Sequence, residues 1–205
     1  MKNRIIDYLN ELIPNPKCEL IYNKDYELLI STMLSAQTTD RMVNQVTKAL
    51  YSKYPSLYDL SNAPITDLIE ILRPLGNYNK KAYNTKEIAR LVYEKGFIPN
   101  DRKFLESLPG VGRKTANVFL SNIYDENVLA VDTHVERVAK RLGIALDDDN
   151  VITVENKLTK YFNGFNLCRL HHQLLLFGRY YCKSINPLCD NCKLKNICKK
   201  TSSLN

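Results

Sequence analysis

LPGVGRKTANVFL, residues Leu108 to Leu120, turns from a tight bend into a helix. Gly110 and Gly112 supply the bend, and Ala116, Phe119, Leu120 and Ile123 then recur at the spacing of one apolar helical face. Arg113 and Lys114 fall in the first turn of that helix, where the backbone dipole is positive and cations are disfavoured. A helix start built only for stability carries Asp, Glu or Ser there. At 100° per residue, Lys114 lies about 160° around the helix from Ala116, off the apolar stripe and outside the core. A short preceding helix, Arg102–Leu108, completes a helix–hairpin–helix pattern. Glycines let a ligand approach the backbone, and a helix start binds phosphate without reading base sequence. The plainer alternative is a simple corner between two helices.

Outward from this hairpin the pattern stays helical. Helices are predicted over Arg4–Ile13, Tyr26–Ala36, Asp40–Lys53, Ile65–Leu72, Lys80–Glu94, Gly112–Tyr124, Thr133–Leu142, Ile152–Tyr161 and Asn166–Tyr181. Prolines, glycines and the run LDDDN punctuate them. Val128–His134 opens with β-like residues but has no evident partner strand. The class is all-α.

Hydrophobic residues make up 44% and charged residues 25% of 205, as in a soluble globular chain. Uninterrupted apolar runs reach only four residues, as in Leu174 to Phe177, against the roughly 20 needed to span a bilayer. The N-terminus lacks the apolar region of a signal peptide, so a cytoplasmic location and no membrane partner are expected. The net charge of +7 is uneven: seven cations against the single anion Asp190 lie between Phe165 and Asn205. A second cluster holds Lys80, Lys81, Lys86 and Arg90. Basic clusters are the footprint of a polyanion, although solvated lysines also serve solubility alone.

Four of the six cysteines, Cys182, Cys189, Cys192 and Cys198, form a C-x6-C-x2-C-x5-C array. Disulfides are not expected in a cytosolic chain, so the array reads as a metal centre. Structural zinc often pairs two C-x2-C knuckles, and only one is present. The longer arms suit a [4Fe–4S] cluster better, with zinc as the alternative. Cys18 and Cys168 read as buried thiols.

In VDTHVERVAKRL, Thr133 with Glu136 has the form of a capping box, which would leave Asp132 free to point elsewhere. The competing reading makes Asp132 itself the N-cap. His134 reads as structural.

Taken with PNPKCELIYNKDYELLISTMLSAQTTD and HHQLLLFGRYYC, these motifs stand in an order that resembles the endonuclease III family of the helix–hairpin–helix DNA glycosylase superfamily over nearly the whole chain. The resemblance implies two helical domains with an active-site cleft between them. These are a six-helix barrel over residues 21–130 and a [4Fe–4S] cluster domain made of residues 1–20 and 131–205. It implies a bifunctional DNA glycosylase and AP lyase of base excision repair, acting as a monomer on double-stranded DNA with damaged pyrimidines or abasic sites. By that resemblance Lys114 is the nucleophile, forming a Schiff base that leads to β-elimination, and Asp132 is the essential carboxylate. Gln37 would fill the gap left by the extruded nucleotide. Gly110, Gly112, Arg113 and Lys183 would meet DNA, and the four cysteines would hold the cluster. Asn77 would also lie against DNA, where the family usually has an apolar wedge, which puts lesion range and opposite-base preference in question. Gln173 replaces a usual tryptophan as a packing change. Asp40 in the LSAQTTD motif is expected to cap the next helix.

Two rival readings stay open. The adenine glycosylase branch shares the fold but typically lacks the nucleophilic lysine and has an added C-terminal domain, so Lys114 and the end at Asn205 argue against it. A non-catalytic iron–sulfur DNA-binding protein would not need Lys114 and Asp132 together.

Overall fold

The computed structural model describes residues 1–199, and among these the chain is helical with no strand. The helices are α1 (Lys2–Leu12), α2 (Asp25–Leu34), α3 (Asp40–Lys53), α4 (Leu57–Asn62), α5 (Ile65–Leu72), α6 (Tyr78–Lys95), α7 (Arg102–Ser107), α8 (Arg113–Ile123), α9 (Thr133–Arg141), α10 (Val151–Tyr161) and α11 (Leu167–Leu176). The last runs on into a π-helical segment, Phe177–Tyr181, and a short 3-10 turn follows at Lys195–Ile197. The all-α class expected from the sequence is the one observed. Among the described residues no helix is long and apolar enough to cross a membrane.

The spacing predicts no helix between Pro55 and Pro64, yet α4 forms there. It has one buried residue, Leu60, and so no periodicity to read. Its N-cap makes it possible, with Ser56 accepting from the Asp59 N–H at 3.1 Å. At α3 the cap is Thr39, which accepts from the Met42 N–H at 3.3 Å. Asp40 is therefore the first helical residue rather than the cap.

The chain divides into two compact units, Cys18–Tyr124 and Met1–Lys17 joined with the chain from Asp125 onward. The second boundary precedes residue 131 because Leu129 and Val131 pack into the terminal core with Ile5, Val135 and Leu170. In the Cys18–Tyr124 unit every residue of α2 from Tyr26 to Leu34 is buried. Helices α3, α6 and α8 pack on α2, so it is covered nearly all round, and its buried Thr32 hydroxyl donates to the Leu28 carbonyl at 2.7 Å. Helix α8 is also buried from Thr115 to Ser121, which is wider than the stripe of Ala116, Phe119 and Leu120. Its polar Asn117 is satisfied by the Arg102 guanidinium, which ties α7 to α8 across the hairpin.

In the terminal unit α1 lies against α11. Gln173 is 1% exposed. Its Nε2 donates to Asn10 Oδ1 at 3.0 Å and to the Ile13 carbonyl at 3.2 Å. Gln173 therefore closes the end of α1 by hydrogen bonds from a buried position.

Candidate active site and cysteine array

Within the Cys18–Tyr124 unit the two hairpin glycines have different jobs. Gly110 has φ +79°, and a Cβ there would collide with Asn84 Nδ2 and crowd Met33 Cγ at 3.2 Å. The turn thus sits directly on α6 and α2, and only glycine fits. Gly112 has an ordinary extended backbone as N-cap of α8 and no atom within 4 Å of where a Cβ would stand. Its bareness is not a packing requirement; it leaves an exposed helix start without a side-chain cap or a first-turn acid. Gly110→Ala is expected to destabilise the fold by about 2 kcal/mol or more, through strain and overpacking. Gly112→Ala should cost less than about 1 kcal/mol. Denaturant unfolding midpoints separate the two.

Arg113 and Lys114 are both exposed. Lys114 makes no side-chain hydrogen bond or ion pair among the described residues; its field does reach the Cys18 thiol, which Asp40 also influences. Burial pushes that thiol up, and Cys18 and Cys168 are each partly rather than fully buried.

Gln37 and Asn77, on separate loops, are both exposed and both left-handed, with φ of 57° and 55°. That conformation gives a backbone reason for Asn77, since asparagine adopts it more readily than an apolar residue does. The second basic cluster proves not to be a patch. Lys81 is 5% exposed, the Lys86 ammonium donates to the Ala63 carbonyl at 2.8 Å, and Arg90 pairs with Glu87 and Glu94. Lys80 alone of the four stays exposed and unpaired among the described residues.

In the terminal unit Asp132, not Thr133, caps α9. Its Oδ1 accepts from the His134 and Val135 N–H groups at 2.9 and 2.8 Å. The capping box of Thr133 with Glu136 does not form: Thr133 is the first helical residue, and Glu136 accepts from the Lys140 ammonium at 2.6 Å. Asp132 is therefore not released from capping, although both bonds fall on one oxygen. The helix start is wedged against Gly178, where a Cβ would meet His134 Cβ at 2.9 Å and its carbonyl at 3.0 Å. His134 is half-buried there, and burial lowers its pKa below the ordinary histidine value.

The same helix grips the cysteine loop from its other end. Arg141 Nη1 donates to Cys182 Sγ at 3.2 Å and to the Cys182 and Lys183 carbonyls at 3.1 and 2.7 Å. Arg137 reaches the Cys182 carbonyl at 3.2 Å and that of Gly178 at 2.7 Å. Neither arginine stood out in the sequence, because their partners are backbone carbonyls some 40 residues away and leave no local pattern. Beyond Cys182 the segment from Lys183 to Asn186 is exposed. The Cys189 carbonyl accepts from the Cys192 N–H at 3.2 Å. Burial raises the Cys192 thiol, with Cys182 and Cys198 adding to the shift, so these three thiols share one neighbourhood. All four cysteines are free of disulfides. Among the described residues no group of three His, Cys, Asp or Glu side chains is gathered as for a single metal ion.

An all-α chain with an uncapped, cation-bearing hairpin helix and a four-cysteine array defines the class of helix–hairpin–helix proteins. Residues 30–163 match the model of the HhH-GPD superfamily base excision DNA repair protein. The chain is 41% identical over 197 residues to endonuclease III of Bacillus subtilis, covering 95% of this chain and 90% of that one. It is 39% identical to endonuclease III of Escherichia coli, with 95% and 93% covered. It superposes on a trapped endonuclease III–DNA covalent intermediate with a TM-score of 0.94 at 40% identity, covering 100% and 98% of the two chains. A thermostable thymine-DNA glycosylase, 20% identical with a TM-score of 0.87, shares the fold. The chain belongs to the HhH-GPD superfamily of base excision DNA repair proteins.

Proposed function

We propose that this protein is a bifunctional DNA glycosylase and AP lyase of the endonuclease III type, acting in the cytoplasm on duplex DNA that carries oxidised pyrimidines or abasic sites. The observation that carries the reading is Lys114, exposed and without a side-chain partner among the described residues, on the bare start of α8 directly after the hairpin. A lysine that serves the fold has a partner or covers apolar surface; this one is kept for a ligand.

A damaged base leaves the stack before its glycosidic carbon can be reached. The neutral Lys114 amine attacks C1′ as the C1′–N bond breaks and the base departs. The Asp132 carboxylate, with one oxygen committed to capping α9, stabilises the developing oxocarbenium charge and assists proton transfer. The sugar ring then opens, the C1′–O4′ bond breaking as O4′ takes up a proton, to give a protonated Schiff base; this acidifies the C2′ proton, and its loss breaks the C3′–O3′ bond and releases the 3′ phosphate. Gln37 and Asn77 occupy the space vacated in the duplex, while Gly110, Gly112, Arg113 and Lys183 line the backbone. Cys182, Cys189, Cys192 and Cys198 would hold a [4Fe–4S] cluster, which cross-links the loop that Arg137 and Arg141 already fasten. The Arg141 guanidinium, 3.2 Å from Cys182 Sγ, suits an anionic, thiolate-bound cluster.

Incubation with duplex DNA bearing an oxidised pyrimidine or abasic site, followed by borohydride, should give a covalent protein–DNA adduct; its absence would overturn the bifunctional reading. Iron and sulfide analysis should give about four of each per chain, whereas a colourless protein with one bound zinc refutes the cluster.

A further inference from the structure

Lys81 is the described lysine that the sequence least explains. It is 5% exposed, and among the described residues no carboxylate meets it. Its ammonium donates to the Ala36 carbonyl at 2.9 Å and to Thr38 Oγ1 at 3.0 Å, the residues on either side of Gln37. Its own backbone N–H donates to the Asn77 carbonyl at 3.0 Å, in the first turn of α6. Four non-glycine residues have positive φ among the described residues, Gln37, Asn77, Asp125 and Asn186, and this one lysine bonds the two neighbours of Gln37 and the carbonyl of Asn77. Glutamine is a poor occupant of the left-handed region, so φ 57° at Gln37 stores strain that its surroundings must hold.

We infer that Lys81 is a positioning residue that clamps the Gln37 loop to the start of α6, presenting Gln37 and Asn77 to duplex DNA as one preset pair. The inference rests on the duplex-inserting roles given to those two residues above. Burying a lysine against neutral oxygens costs solvation, and burial does pull the Lys81 ammonium below the usual lysine range. A structural tie between two loops needs no such group, because an apolar side chain packs without that cost. What the ammonium adds is direction. Its donors fix the carbonyl before Gln37 and the hydroxyl after it, which sets where the Gln37 side chain emerges. Among the described residues Lys81 makes no hydrogen bond or ion pair with Lys114, so its effect should fall on base extrusion and not on Schiff-base chemistry.

Lys81→Met keeps side-chain length and removes both donors. Single-turnover excision of an oxidised pyrimidine from duplex DNA should fall about 10- to 100-fold, the scale of a small misplacement of a positioning group. Cleavage of a single-stranded abasic oligonucleotide, which has no stack to fill, should stay within about twofold. In a Gln37→Ala background Lys81→Met should cost less than about threefold, because the two act through one loop. Equal loss in both substrates, no loss in either, or additive effects with Gln37→Ala would each overturn the clamp. If Lys81→Met does not fold, Thr38→Val removes one anchor from a partly exposed residue and should show the same split at about threefold. A wild-type protein that forms no borohydride adduct overturns the functional reading and the clamp with it. An adduct-forming wild type with an unsplit Lys81→Met response overturns the clamp alone.

Discussion

Lys114→Ala is expected to abolish the borohydride-trapped adduct and to lower strand cleavage at an abasic site by about three powers of ten or more. The fold should not notice. Lys114 is exposed, off the buried face of α8, and makes no hydrogen bond or ion pair among the described residues. The unfolding midpoint should therefore stay within about 2 °C of the wild type, as for other surface substitutions. Lys114→Arg sharpens the test. A guanidinium keeps the positive charge for phosphate but cannot supply a neutral amine. If Lys114 only bound DNA, arginine would restore activity; if it is the nucleophile, arginine is as inactive as alanine while binding duplex DNA normally. Gel analysis after borohydride treatment, with binding measured in parallel, decides between them.

The second large effect belongs to Asp132, and here the structure supplies a control that the sequence did not. Both capping bonds land on Oδ1, from the His134 and Val135 N–H groups. Asparagine caps a helix about as well as aspartate, so Asp132→Asn should leave stability within about 0.5 kcal/mol. It cannot take a proton or stabilise a cation as a carboxylate does, so base excision should fall about 100-fold or more. Asp132→Ala loses the cap as well and should cost about 1 kcal/mol of stability in addition. Excision rates and denaturant midpoints for the pair test this. Full activity in Asp132→Asn would reduce Asp132 to a cap and nothing more.

Much of the architecture follows from local chemistry. Helix periodicity and its punctuation place α3 and α5 at their observed bounds, because apolar spacing and terminators act within one or two turns. The cysteine spacing marks the array, since ligand spacing is a property of the chain itself. Arg113 and Lys114 stand out as cations at the wrong end of a helix for the same reason. The short α4 is not legible, with only Leu60 buried. Nor is the cap of α9. Asp132 and Thr133 are adjacent and both able to cap, and the choice falls to whichever register buries Val135 and Val138 while seating His134 on Gly178.

By itself, then, the sequence determined that the chain is helical, where its hairpin turns, which cysteines stand at close spacing along the chain and which lysine stability does not account for. Only the tertiary structure decided that Gly110 is demanded by packing while Gly112 is not, and that Asp132 caps α9 through one oxygen. It also turned Lys81 from one of four surface cations into the buried tie between the Gln37 loop and α6. Periodicity and capping are fixed by neighbours within a turn or two. Burial, collision and the partner of a long side chain are fixed by residues some 40 positions away, and those distances exist only once the chain has folded.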